Sequence, residues 1–160
     1  MNKINLKKAN VQDAELLHEL QIEAFEPLLA KYQDFETNPA AEPLEKTIER
    51  LNQDNTDFYL IVLDEKPIGA VRVVRLEDDC CKIGPINILP TFQNKGYARQ
   101  AMSLVETHYP KAQKWVLATI EQEEKLCAFY TKMGYELTGS RTELSDEMTI
   151  VGFEKMMNKS

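Results

Sequence analysis

Apolar residues recur along this chain with two different periods, and the changes from one period to the other mark out its elements. Residues 4–8 alternate well enough to predict a first strand. Asn10 and Asp13 then resemble an N-cap pair ahead of Ala14, Leu16, Leu17, Leu20, Ile22 and Phe25, a helical spacing expected to end or kink near Pro27. Residues 44–51 predict a second helix, entered after Pro43. At Asp57 the pattern changes: residues 58–63, the turn Asp64-Glu65-Lys66-Pro67 and residues 68–75 read as a β-hairpin. A strand over about residues 82–88, a helix to about His108, a short buried strand at 115–120 and a helix at 123–133 follow. That last helix carries Leu126, Phe129, Tyr130 and Met133 on one face, with Gly134 suited to the position just past its end. Residues 135–138 and 148–153 predict two closing antiparallel strands around a turn-rich stretch, 139–147.

The order β-α-α-β-β-β-α-β-α-β-β implies an α/β (α+β) layered fold, with a mixed central sheet and helices on both faces. A chain of 160 residues without repeat, low-complexity tract or linker is expected to form one domain, 1–160, large enough to bury a core unaided.

Charge narrows the partners. With 26 acidic and 19 basic side chains the net charge is -7, which leaves no basic face for a phosphate backbone, so no nucleic acid is expected. Three cysteines, two adjacent at Cys80 and Cys81, make neither a disulfide framework nor metal-ligand spacing, and His18 and His108 have no partners at ligand spacing. No metal is expected. No apolar stretch approaches membrane-spanning length and the start has no apolar leader, so the expectation is a cytoplasmic protein without a membrane partner.

The most informative stretch lies near the middle. The apolar run Ile86-Asn87-Ile88-Leu89-Pro90 leads into Gln93-Asn94-Lys95-Gly96-Tyr97-Ala98, and from there into Ala101, Met102, Val105 and His108 at helical spacing. A strand that ends in a tight turn opening a helix presents unpaired N–H groups and the positive end of the helix dipole, which together make a pyrophosphate cradle. Gly96 lets the backbone approach phosphates with no Cβ in the way. The alternative is an ordinary strand-to-helix turn.

On these residues the chain resembles the GNAT superfamily of acyl-CoA-dependent N-acetyltransferases. Residues 86–99 resemble that family's strand, proline and Q/R-x-x-G-x-G/A loop, with alanine in the last place. The hairpin at 64–69 and Ala128-Phe129-Tyr130-Thr131-Lys132-Met133-Gly134-Tyr135, with tyrosine four residues before glycine, are similar to the family's in the same order. The resemblance covers nearly the whole length and implies a mostly antiparallel sheet and acetyl-CoA as co-substrate. It implies that the main chain of Ile86, Asn87 and Ile88 pairs with the pantetheine arm like an added strand. It also implies that N–H groups from Asn94, Lys95, Gly96, Tyr97, Ala98 and Arg99 hold the pyrophosphate, with Gln93 and Lys95 contributing side chains.

Amide formation from a thioester needs a neutral amine, a stabilised oxyanion and a proton for the departing thiolate. A main-chain N–H near Asn87 or Ile88 suits the oxyanion. Tyr130, placed like the family's tyrosine, is expected to be the general acid, and Glu121, with Glu123 second, the carboxylate that removes the amine proton. Both glutamates also suit a solvated helix start. Glu123 stands where many members have asparagine, and Thr119 where some have the basic glutamate. Tyr32, Asp34, Phe35 and Glu36 have the composition of an amine-binding lid, or of a solvated connection. The acceptor is expected to be a primary amine of a small molecule or peptide, attacked directly in a ternary complex, so Cys127 takes no catalytic role. A non-catalytic acyl-CoA-binding sensor is the rival, and pairing of strand edges into a homodimer is possible.

Overall fold

A computed structural model describes residues 3–157. Its elements are β1 (Ile4–Lys8), α1 (Ala14–Tyr32), α2 (Leu44–Leu51), β2 (Thr56–Leu63), β3 (Lys66–Arg75), β4 (Cys80–Ile88), α3 (Tyr97–His108), β5 (Lys114–Ile120), α4 (Glu124–Lys132), β6 (Glu136–Ser145) and β7 (Met148–Met156). The strands form one seven-stranded sheet in the order β1-β2-β3-β4-β5-β7-β6. Pairing is antiparallel at β1–β2, β2–β3, β5–β7 and β6–β7, and parallel at β4–β5. The expected mixed, mostly antiparallel sheet is thus present.

The chain divides into two compact units: residues up to Val74 with Pro85–Pro110, and Arg75–Gly84 with the residues from Lys111 on. In the first unit, Leu17 and Leu20 of α1 bury against Phe58, Leu60 and Ala70 on one face of the strands. Tyr59, which points the other way as strand alternation requires, meets the ring of His108 of α3 edge-on at 5.5 Å. Its hydroxyl lies 2.8 Å from that of Tyr109, which donates to Asp57 at 2.6 Å. This unit's sheet therefore carries helices on both faces. The β2–β3 hairpin turns through Asp64 and Glu65, both at positive φ (48° and 68°), as a two-residue turn with the twist of its strands demands. A register shift at Ile61/Val62 accommodates Pro67, which cannot donate to a ladder.

In the second unit the core gathers on Trp115, Tyr135 and Phe153, among the largest fully buried side chains. Tyr130 packs on it, with ring centroids 6.2 Å from Tyr135 and 6.0 Å from Phe153.

Two expectations need correction. The first helix does not stop at Pro27 but runs on to Tyr32. The strong helix formers Leu28, Leu29, Ala30 and Lys31 follow the proline, and Gln33 closes the helix in the left-handed conformation by donating its N–H to Leu29. The stretch 139–147 is not a loop: β6 extends to Ser145, and its turn-like residues fold into a bulge between the pairs Leu137↔Phe153 and Arg141↔Val151. Gly139, at φ 93°, supplies the conformation this bulge requires.

Candidate active site

The cradle loop is built in the first unit. β4 ends at Ile88, Pro90–Phe92 makes one 3-10 turn, and α3 opens at Tyr97. Two residues between them take positive φ, Asn94 (63°) and Gly96 (85°). Asparagine tolerates that region and glycine enters it at no steric cost, which is why this sequence can turn so tightly. Gly96 is the N-cap of α3 and brings no side chain to cap it, and a Cβ at that position would meet nothing within 4 Å. Among the described residues, no acceptor pairs the N–H groups of Tyr97, Ala98 and Arg99. They stand at the positive end of a helix of twelve residues, which is the electrostatics of an anion site.

The loop is fastened from within. Gln93 donates its side-chain amide to the carbonyl of Ile88 at 2.8 Å, so this side chain braces the turn as well as standing beside it. Lys95 and Arg99 are exposed, whereas Tyr97 is buried and belongs to the core. Asn87 is buried too, and its Oδ1 accepts the N–H of Ala70 at 3.1 Å, substituting for a ladder bond between β3 and β4. The β4–β5 register covers only Cys80–Lys82 against Lys114–Val116.

Tyr130 and Glu121 lie in the second unit. Tyr130, on α4, is buried, and the loss of water pushes its phenol up to about 12. Among the described residues its hydroxyl has no hydrogen-bond partner, so its proton remains available. Glu121 follows β5 and faces solvent, with its two oxygens held by Arg141 of β6 at 2.8 Å and 3.2 Å. Those bonds lower its pKa below the ordinary carboxylate value. A carboxylate so held is a weak base. Glu121 also borders an open groove of about 610 Å³, with Glu124, Cys127, Thr131, Glu136 and Leu137. Burial, followed by the charges of Glu121, Glu123 and Glu124, pushes the Cys127 thiol up, away from thiolate chemistry. At the supposed lid, Asp34 uses its carboxylate to accept the N–H groups of Glu36 and Thr37 and the hydroxyl of Thr37, while Phe35 is exposed.

Sequence patterns did not point to Arg141 as the clamp on Glu121, nor to Gly69. That glycine lies inside β3, where an isolated glycine signals a close backbone approach.

Solved structures of known proteins share this fold. The PaiA N-acetyltransferase of Thermoplasma acidophilum, solved in complex with coenzyme A, superposes with a TM-score of 0.78 at 17% identity, over 97% of this chain and 99% of that one. The spermidine N-acetyltransferase of Vibrio cholerae, solved with CoA and spermine, gives 0.76 at 17%, covering 96% and 95%. The ribosomal-protein-S18-alanine N-acetyltransferase of Escherichia coli gives 0.76 at 11%, covering 100% and 96%. These likenesses establish the fold. The sequence model of the acetyltransferase (GNAT) family matches residues 15–135, and the chain therefore belongs to that family of acetyl-CoA-dependent N-acetyltransferases.

Proposed function

We propose that the protein moves the acetyl group of acetyl-CoA to a primary amine of a small molecule or peptide by direct attack in a ternary complex, acting as a single domain over residues 1–160. The observation that carries this is the uncapped start of α3, where Asn94 and Gly96 turn the chain and the N–H groups of Tyr97, Ala98 and Arg99 stay open for a pyrophosphate. Lys95 adds a positive side chain to the loop, and Gln93 holds its shape. The pantetheine arm would lie along the main chain of Ile86, Asn87 and Ile88 as an added strand.

In the reaction the amine nitrogen attacks the thioester carbonyl, an N–H near Asn87 or Ile88 takes the oxyanion, and the C–S bond breaks. Tyr130 gives its proton to the departing thiolate, and the amine gives up one proton, so the products are an amide and free coenzyme A. The phenol suits the acid role because burial keeps it protonated. Glu121 is the carboxylate assigned to the amine proton, directly or through water, with its basicity limited by Arg141.

That limit favours one alternative, a non-catalytic acyl-CoA sensor on the same fold. Thiol release from acetyl-CoA across polyamines, amino acids, aminoglycosides and short peptides, with calorimetric acetyl-CoA binding in parallel, separates the two. Amine-dependent release supports the transferase, and binding without release on the whole panel supports the sensor. The edge strand β6, exposed at all ten positions and without lysine or proline to guard it, supports pairing into a homodimer. A monomer in sedimentation at working concentrations would remove that part.

A further inference from the structure

The helix that opens the cradle is tied to the sheet near both of its ends. Close to its start, Oε1 of Gln100 accepts the N–H of Ile4, the first residue of β1, at 3.2 Å. At its other end the C-cap, Tyr109, donates its hydroxyl to Asp57 of β2 at 2.6 Å. Tyr109 has one hydroxyl proton and gives it to Asp57, so the hydroxyl of Tyr59, 2.8 Å away, donates in turn to Tyr109. Lys8 of β1 stands 3.4 Å from the other oxygen of Asp57. Burial first, and then the bonds to Asp57 and Tyr59, push the Tyr109 phenol up, so it stays a donor.

The spacing of the two ties matches the sheet. From Gln100 to Tyr109 the helix rises about 14 Å. From Ile4 to Lys8, which pairs with Tyr59, the strand rises about as far. Between the ties α3 turns Ala101, Met102 and Val105 to the core, all apolar and fully buried. Apolar contact has no direction, so it holds a helix against a sheet without fixing where along its own axis the helix stops. Hydrogen bonds at its ends do fix that. Asp57 is only 8% exposed, and a carboxylate taken out of water is costly; the best-attested use of such a group is to specify one register.

We infer that Tyr109 is a positioning residue for acetyl-CoA: through its bond to Asp57 it fixes α3 along its axis, and so sets where the N–H groups of Tyr97, Ala98 and Arg99 meet the pyrophosphate. The inference rests on the cradle proposed above and adds a control at the far end of the same helix. Bonds from each N–H to the carbonyl four residues back make so short a helix move as one rod, and a slip at Tyr109 therefore reaches Tyr97. Hydrogen bonds from N–H groups to a charged oxygen hold within a few tenths of an ångström, so a slip of about 1 Å breaks them.

The test compares two ligands by calorimetry: acetyl-CoA, and S-acetylpantetheine, which carries the thioester arm and no pyrophosphate. The wild type should bind acetyl-CoA more tightly. Tyr109→Phe should reduce that preference about tenfold and leave the Kd of S-acetylpantetheine unchanged. Asp57→Ala should do the same, and the double variant no more, because one bond is lost in all three. If one single variant fails to fold, the other decides. A merely structural hydroxyl would lower the melting temperature and leave the preference for acetyl-CoA intact, which would overturn the assignment. Losses that add in the double variant would overturn it too, while leaving the cradle standing. A wild type that binds acetyl-CoA no better than S-acetylpantetheine would remove the cradle and this inference together.

Discussion

Gly69 of β3 lies so close under β4 that a Cβ built on it would stand 2.0 Å from the carbonyl oxygen of Asn87. No side chain fits that gap, and the atoms it would strike are backbone: Asn87 oxygen and carbon, then the Cα of Ile88 at 3.1 Å. The stretch assigned to the pantetheine arm is therefore held in place from behind by the absence of a side chain. Gly69→Ala is expected to cost about 1–3 kcal/mol through overpacking. It should also push residues 87 and 88 out of line and weaken acetyl-CoA binding beyond what thermal destabilisation explains. Thermal unfolding and calorimetry on the same sample check this, and a destabilised variant with wild-type acetyl-CoA affinity would detach Asn87 and Ile88 from the coenzyme.

Gly96 fails differently under substitution. Nothing surrounds a Cβ there, so the cost of Gly96→Val is conformational, about 1–2 kcal/mol for a side chain at φ 85°. The variant should fold, with a lower melting temperature, and lose coenzyme binding because the loop can no longer present the Tyr97, Ala98 and Arg99 N–H groups. Tight acetyl-CoA binding by the folded variant would end the cradle assignment.

The strand–turn–helix at 86–99 was legible because its chemistry is local: one glycine, a proline and a change of period lie within fourteen residues. The strand 4–8 and the helix 44–51 were legible for the same reason, since alternation and a leading proline act over neighbours in sequence. Relationships spanning the sheet were not. Glu121 and Arg141 are twenty residues apart, and only the antiparallel pairing of β5, β7 and β6 brings them together. Pro27 and Gly139 misled for a related reason: a local breaker signal gave way to the helix formers after Pro27 and to the β7 ladder beside Gly139.

Tyr130→Phe removes one oxygen from a well-packed site and should leave the fold and acetyl-CoA affinity close to wild type. Turnover should fall by about 10²-fold if the phenol protonates the thiolate. Because burial raises this phenol from 10 to about 12, the donor form persists across the whole working range, and Tyr130 should produce no alkaline fall in kcat below about pH 11. The same shift carries a stability consequence. Its contribution is fully present below pH 10, the unfolded value, and is lost as pH rises towards 12, so unfolding midpoints of wild type and Tyr130→Phe should diverge only in that window. Unchanged turnover would take Tyr130 out of the acid role.

Arg141 offers the cleanest test of the base. A base works when deprotonated, and Arg141 lowers the pKa of Glu121, so the working form should persist to more acidic pH than an ordinary glutamate would allow. Arg141→Ala removes that influence without disturbing the core, since both side chains face solvent. The acid limb of kcat/KM should then move to higher pH, while the rate on the plateau holds or rises as Glu121 becomes more basic. Glu121→Gln should abolish the limb and lower the plateau. If both variants keep the wild-type pH profile, Glu121 does not take the amine proton. Its pairing with Arg141 would then be a surface tie between the end of β5 and β6.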